Sequence, residues 1–424
     1  MTGTSGDTVT EGGAGTRPMD GMVVVDLTRQ MSGPYASMVL GDFGADVIKV
    51  ESSPRGDGAR YIGSTFVGGE STMFLTWNRS KRSICLDLRS PEGKEVLNRL
   101  IDGADVVMEN YRAGVADEMG FGADDVLRRN PRVVYCSINA FGSTGPWSQR
   151  PGTDPVVQAM SGVMSVTGER DGGPLLVGIP VADFSSAMLA VQGILFALLA
   201  RERTGRGQKV EIPMLHALVF GLTTRVGPYF ASGEDPTRWG SQHSQVVPYQ
   251  AFRTKDGYAV AGTWGDADWG RFCDALGWPE LADDPGFDTN VKRVARRDEL
   301  TPLIQEHFVK RTTAEWEERF APRKVLFAPV NTFSDVFNHP QGQAMELVTE
   351  VDHPTAGRQK QVAPAVRLAG TPAQISRPSP LLGEHSREIL LERGWSPDEV
   401  DRLVGAGVVV EARPYPAVEA SPAP

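Results

Sequence analysis

Short apolar runs alternate with amphipathic stretches through the first half of the chain. Met22-Val23-Val24-Val25-Asp26-Leu27 is the kind of run that a strand buried on both faces shows, and a Ser32-Gly33-Pro34 turn and a helical stretch to about Phe43 follow it. Asp46-Val47-Ile48-Lys49-Val50 predicts a second strand. The alternation continues with a strand over 82–88, a helix over 91–101, a strand over 105–109, a helical stretch around 124–129 and a strand over 132–138. Strands separated by helices in this way predict βαβ units and a parallel sheet, an α/β domain of Rossmann type. A long helix over 185–203 stops at Thr204-Gly205-Arg206-Gly207, and 208–212 reads as one more strand.

The pattern changes beyond Leu218. Residues 222–245 hold Gly, Pro, Ser, Asp and Trp without a clear period and read as a linker. Short strands over 249–253 and 258–263 are then joined across Thr254-Lys255-Asp256-Gly257, a turn composition, and helices follow over 269–276, 297–308 and 313–320. The expected organisation is a flexible leader over 1–18, the N-terminal part of a large domain over 19–221 and a small α+β domain over 246–325. A second linker over 326–350 leads to a C-terminal part over 351–412, with helices near 386–393 and 397–404, that completes the large domain, and a flexible tail occupies 413–424.

Composition narrows the classes. A chain of 424 residues with 40% hydrophobic and 23% charged residues is globular and large enough for two or three domains. Its formal charge of −10 argues against bulk attraction to nucleic acid or an anionic membrane, and leaves room for a local basic pocket. The three cysteines, Cys85, Cys136 and Cys273, are widely spaced, so neither a disulfide framework nor a zinc site is indicated and no metal is expected. The start of the chain lacks the charged and apolar regions of a signal peptide, and the apolar stretch over 187–200 is shorter than the ~20 residues that span a bilayer. The expectation is a cytoplasmic protein without a membrane segment.

The first strand-turn-helix carries Gln30-Met31-Ser32-Gly33-Pro34 where a dinucleotide site would carry G-x-G-x-x-G, so a nicotinamide-dependent oxidoreductase lacks its fingerprint. No P-loop, G-x-S-x-G elbow or HExxH occurs, and the six histidines have no ligand spacing; His385 reads as a residue near a helix start. What stands out is carboxylates at helix starts. Asp183, in Val181-Ala182-Asp183-Phe184-Ser185-Ser186, reads first as an N-cap and second as a nucleophile kept ionised by the positive helix end, with small neighbours that leave room for a substrate. Asp154, before Pro155, reads as the cap that starts a turn over 156–160.

The order of motifs resembles the class III coenzyme A transferases and the related acyl-CoA racemases. The resemblance runs from Met22 to about Val410. Its motifs are Ser32-Gly33-Pro34, Gly44-Ala45-Asp46-Val47-Ile48-Lys49-Val50-Glu51, Asn78-Arg79-Ser80-Lys81-Arg82-Ser83-Ile84 and Asp105-Val106-Val107-Met108-Glu109-Asn110-Tyr111. Gly152-Thr153-Asp154, Val181-Ala182-Asp183-Phe184, Thr204-Gly205-Arg206-Gly207-Gln208 and Gly383-Glu384-His385-Ser386 complete the series. The resemblance implies that Asp183 attacks an acyl-CoA thioester to give an aspartyl-acyl anhydride, which becomes an aspartyl-CoA thioester that an acceptor carboxylate attacks in turn. It also implies contacts with CoA at Met31, Ser32, Leu86, Asp87, Arg89, Asn110, Tyr111 and Arg112, with Asp154 near the thioester. Arg89 and Arg112 would pair with CoA phosphates, and Tyr111 would lie along the adenine or pantetheine.

Some members have Gln at the position of Met31, Arg at Ser52 and Glu118, and a glycine run where this chain has Gly240-Ser241-Gln242-His243-Ser244-Gln245. Racemases have a His at the position of Thr153, and Thr is no base at neutral pH, so transfer is the expected reaction over racemisation or non-catalytic acyl-CoA binding. The resemblance further implies an interlocked homodimer and, with no cofactor held permanently, a CoA thioester and a free carboxylic acid as substrates.

Overall fold

The computed structural model describes residues 17–412; the tail expected over 413–424 lies outside them, as does the expected leader apart from Arg17 and Pro18. The valine run becomes β1 (Val23–Asp26), followed by α1 (Ser32–Asp42) and β2 (Asp46–Ser52). A short hairpin, β3 (Phe66–Val67) and β4 (Glu70–Ser71), and α2 (Thr72–Trp77) lead to β5 (Lys81–Leu86) and α3 (Pro91–Asp102). Next come β6 (Val106–Glu109), α4 (Val115–Met119), α5 (Ala123–Arg129) and β7 (Val134–Asn139). The chain continues through α6 (Asp154–Met160), α7 (Val181–Thr204), β8 (Lys209–Pro213) and α8 (Met214–Gly221).

These strands and β14 (Val409–Val410) form a seven-stranded sheet in the order β14-β5-β2-β1-β6-β7-β8. All its pairs are parallel except β14 against β5. The chain winds outward from β1 through β2 to β5, then returns to place β6 on the other side of β1. That reversal opens a crevice at the carboxyl ends of β1 and β6, where doubly wound sheets bind ligands.

The floor of the crevice is ionic. Lys49, from β2, donates to the Thr28 carbonyl at 3.0 Å and to Asp57 at 2.9 Å; Lys81, from β5, donates to Asp26 at 3.1 Å and to the Pro34 carbonyl at 2.8 Å. Arg60 and Glu51 pair through contacts of 2.8 and 2.7 Å, and Asp57 accepts the Gln30 amide at 3.0 Å. The loop that leaves β1 is therefore tied from below. Gly33 lets α1 come this close, since a Cβ there would lie 2.2 Å from that of Thr28.

The chain divides into two compact units, one of residues 17–161, 178–223 and 346–412, the other of 162–177 and 224–345. Besides residues 162–177, the second holds nearly all of α9 (Thr223–Ser232), β9 (Tyr249–Arg253), β10 (Tyr258–Gly262), α10 (Asp266–Leu276), α11 (Asn290–Ala295), α12 (Arg297–Phe308) and α13 (Thr313–Phe320). It ends with β11 (Leu326–Pro329), α14 (Phe333–Asn338) and α15 (Pro340–Ala344). Its sheet, β11-β10-β9, is antiparallel over a core that includes Phe252, Phe272, Phe308, Trp316 and Phe320. The hairpin of β12 (Val348–His353) and β13 (Gly357–Val362), with α16 (Ser386–Glu392) and α17 (Pro397–Gly405), belongs to the first unit.

Two stretches read as linkers carry structure. Residues 222–245 contain α9, whose pattern is obscured by Gly227 and Pro228, and β11 within 326–350 is hydrogen-bonded to β10. The smaller unit is accordingly wider than 246–325. Helix α7 is also longer than the apolar stretch over 187–200 suggested: at 24 residues it meets the length and hydropathy of a membrane span. Its Ala182, Ser186, Ala187, Ala190 and Ile194 are nonetheless buried in the fold, where it packs on α1 and α8.

Candidate active site

Helix α7 is capped by Pro180, which has no side-chain acceptor, and Asp183 lies inside the first turn. The N-cap reading of Asp183 is thereby corrected. Asp154 supplies the missing acceptor: it sits in the first turn of α6 and is only 7% exposed, and its Oδ2 accepts the amides of Ala182 at 2.7 Å and Asp183 at 3.2 Å. Gln158, one helical turn on, donates to the other oxygen at 2.6 Å. Asp154 therefore caps the helix of Asp183, and Thr153 precedes α6 as its N-cap without a side-chain cap bond.

The half-buried carboxyl of Asp183 accepts a hydrogen bond from the Ser32 hydroxyl. The Asn110 amide donates to Ser32 Oγ at 3.3 Å and brackets the Arg29 backbone, donating to its carbonyl at 2.7 Å and accepting its amide at 2.8 Å. Burial pushes the Asp183 carboxyl up, Asp154 pushes it further and Ser32 opposes them, so the group lies at about 6. The sequence reading expected the helix end to keep this carboxylate ionised. At about 6 it is still ionised at neutral pH, but the helix amides do not lower it, because Asp154 already occupies them and adds negative charge of its own.

Ser32, Asn110, Asp154 and Asp183 thus form one bonded group at the ends of β1 and β6, with Met31 and Tyr111 next to it in the chain. Tyr111 is nearly buried against Phe121, its amide held by Glu109 at 2.8 Å. Arg112 is exposed. Leu86, Asp87 and Arg89 stand apart, at the end of β5, two strands and so roughly 10 Å from β1. The Leu86 side chain is wholly buried in the core, so a contact with CoA at this position would come from its backbone. Asp87 accepts the Arg89 guanidinium at 3.1 Å, and the Arg89 side chain is 84% exposed. His385 is the N-cap residue of α16, its Nδ1 accepting the Ser83 amide at 3.3 Å.

Sequence reasoning missed Gln158, whose spacing of four from Asp154 was the available signal, and Arg29, whose guanidinium lies 4.5 Å from the centre of the Tyr111 ring. Among the described residues no cluster of three His, Cys, Asp or Glu side chains is arranged to hold a metal.

A doubly wound sheet with a poised carboxyl at its switch point defines an α/β enzyme. Residues 19–386 match the model of CoA-transferase family III, and the chain belongs to that family. It is 39% identical over 394 residues to the succinyl-CoA:glutarate CoA-transferase of Mus musculus, a match covering 93% of this chain and 90% of that one. It is 36% identical over 399 residues to the succinyl-CoA:mesaconate CoA-transferase of Haloarcula hispanica, covering 89% and 96%. A CaiB/BaiF family protein from Brucella suis has the same fold, with a TM-score of 0.81 and 37% identity over 89% of this chain and 100% of that one. The chain is a CoA-transferase of a family that uses CoA thioesters as substrates.

Proposed function

We propose that Asp183 is the nucleophile of this transferase and that the acids it exchanges are dicarboxylic. In the first step a carboxylate oxygen of Asp183 adds to the donor thioester, the C–S bond breaks, and a mixed anhydride and CoA thiolate result. The thiolate then attacks the Asp183 carbonyl, the anhydride C–O bond breaks, and the donor acid leaves as its carboxylate. The acceptor carboxylate attacks the aspartyl-CoA thioester, expelling thiolate, which takes the acyl group of the second anhydride and restores Asp183.

The observation that carries this reading is the Asp183 carboxyl itself, held by the Ser32 hydroxyl at the switch point and raised to about 6 with no compensating cation among the described residues. A carboxylate more basic than an ordinary acid is the better nucleophile. In the anhydride it is also the poorer leaving group, so thiolate attack expels the substrate acid rather than Asp183. Succinate, glutarate and mesaconate, named for the relatives, are all dicarboxylates, which supports that substrate class.

CoA in this reading runs past Met31, Ser32, Asn110 and Tyr111 and along Leu86 and Asp87, with Arg89 and Arg112 toward its phosphates. Asp154 serves it indirectly, as the cap of α7. The larger unit is the CoA-binding domain of a cytoplasmic, interlocked homodimer; the exposed Phe196, Leu199 and Phe220 on α7 and α8 support a covered face there.

Replacing Asp183 by Ala tests the reading. CoA exchange between succinyl-CoA and glutarate should fall by a factor on the order of 10³ or more, while calorimetric CoA affinity stays within about threefold. Turnover near that of the unmodified enzyme would overturn the assignment.

A further inference from the structure

We propose that Arg29 is a substrate-binding residue whose guanidinium takes an oxyanion group of the substrate, either the remote carboxylate of the acid or a phosphate of CoA. The inference rests on the transferase reading of the Asp183 site and adds to it a binding group that the sequence reading did not contain.

The backbone of Arg29 is fixed on every side. Asn110 brackets its amide and carbonyl at 2.8 and 2.7 Å, the preceding Thr28 carbonyl accepts from buried Lys49 at 3.0 Å, and the following Gln30 amide donates to buried Asp57 at 3.0 Å. Gln30 has a φ of 65°, a left-handed conformation that a side chain adopts only where its surroundings impose it. The side chain above this anchored backbone is exposed, and its guanidinium stacks 4.5 Å from the centre of the nearly buried Tyr111 ring. Few bonds are left to order when a ligand arrives.

This cation has no anion of its own. Arg60, Arg79 and Arg82, elsewhere in the same unit, are each paired with carboxylates at 2.6 to 2.9 Å. Among the described residues no carboxylate lies within ion-pair distance of Arg29, and none accepts a hydrogen bond from its guanidinium. With the guanidinium over the Tyr111 ring, its N–H groups, which grip carboxylates and phosphates two-pronged, are left for a ligand. Its backbone lies three residues before Ser32, the hydroxyl bonded to Asp183, on the same turn that leaves β1. In a chain of net charge −10 both substrates arrive as anions, and this arginine is the counter-charge built into the β1 turn.

Arg29→Met, which keeps length and apolar contact with Tyr111, and Arg29→Lys, which keeps charge without the fork, test this. Each variant and the unmodified protein are titrated calorimetrically with CoA and with glutarate, and KM is measured for glutarate and for butyrate as acceptors from succinyl-CoA. A rise of roughly 10- to 100-fold in Kd and KM for glutarate in Arg29→Met, with butyrate and CoA unaffected, assigns the arginine to the remote carboxylate. A comparable loss of CoA affinity with an unchanged glutarate-to-butyrate ratio assigns it to a phosphate. Arg29→Lys should fall between. Affinities for CoA and glutarate that both stay within twofold overturn the proposal, as does loss of both together with a lowered Tm, which marks a collapsed turn. Should the unmodified protein fail to transfer CoA between these acids, the transferase reading fails while the two titrations still decide the role of Arg29.

Discussion

Two carboxylates lie on opposite sides of the turn that starts α1, and they behave in opposite ways. Asp26, beneath it, is fully buried, and burial alone would raise it; Lys81 and Lys49, with the hydroxyls of Ser37 and Thr28, overrule burial and hold it far below the ordinary carboxylate range. Asp183, above the turn, is also raised by burial, but its charged neighbour is Asp154, so it reaches about 6. Burial acts in the same direction on both, and the sign of the neighbouring charge decides the outcome. The lattice below is saturated and supports the turn. The carboxyl above is left under-compensated, as a nucleophile that must form and break a bond requires.

The comparison breaks most visibly when the lattice loses a cation. Lys81→Met leaves Asp26 with Lys49 alone in the interior, and unfolding by denaturant should show a loss of about 3–5 kcal/mol. A loss below about 1 kcal/mol would mean that the lattice does not hold the turn. A smaller effect sharpens the other half. Asp154→Asn keeps an acceptor for the α7 amides and removes the charge beside Asp183. The raised carboxyl is ionised only above about 6, so the acid limb of kcat/KM for the acyl-CoA donor should move down by roughly one unit in this variant. Activity at the neutral plateau should fall, since the carboxylate becomes less basic. An acid limb that stays in place would show that Asp154 acts as a cap alone.

Much of the fold was legible because buried parallel strands write themselves as short apolar runs: the run at 22–27 became β1, and the helices expected over 91–101 and 313–320 formed within a residue of those bounds. Residues 222–245 were not legible, because Gly227 and Pro228 interrupt the period of α9. Asp183 was found as a candidate and misplaced as a cap, since sequence shows which residue precedes an apolar helix but not which distant carboxylate reaches its amides. Nothing in the sequence marked Lys49 and Lys81 as a charge lattice; their partners Asp57 and Asp26 come together with them only when β5, β2 and β1 pair. Arg29 was missed for the same reason, its meaning coming from Tyr111 and Asn110, some eighty residues away.

The central claim, that Asp183 carries the acyl and CoA groups in turn, is tested most directly by trapping. The enzyme is incubated with succinyl-CoA and hydroxylamine, digested, and the peptide containing Asp183 is analysed by mass spectrometry. The account predicts a hydroxamate on Asp183, dependent on the acyl-CoA and absent when the thioester is replaced by free CoA. Turnover without any adduct at Asp183, or an adduct on another carboxylate such as Asp154 or Glu109, would contradict it.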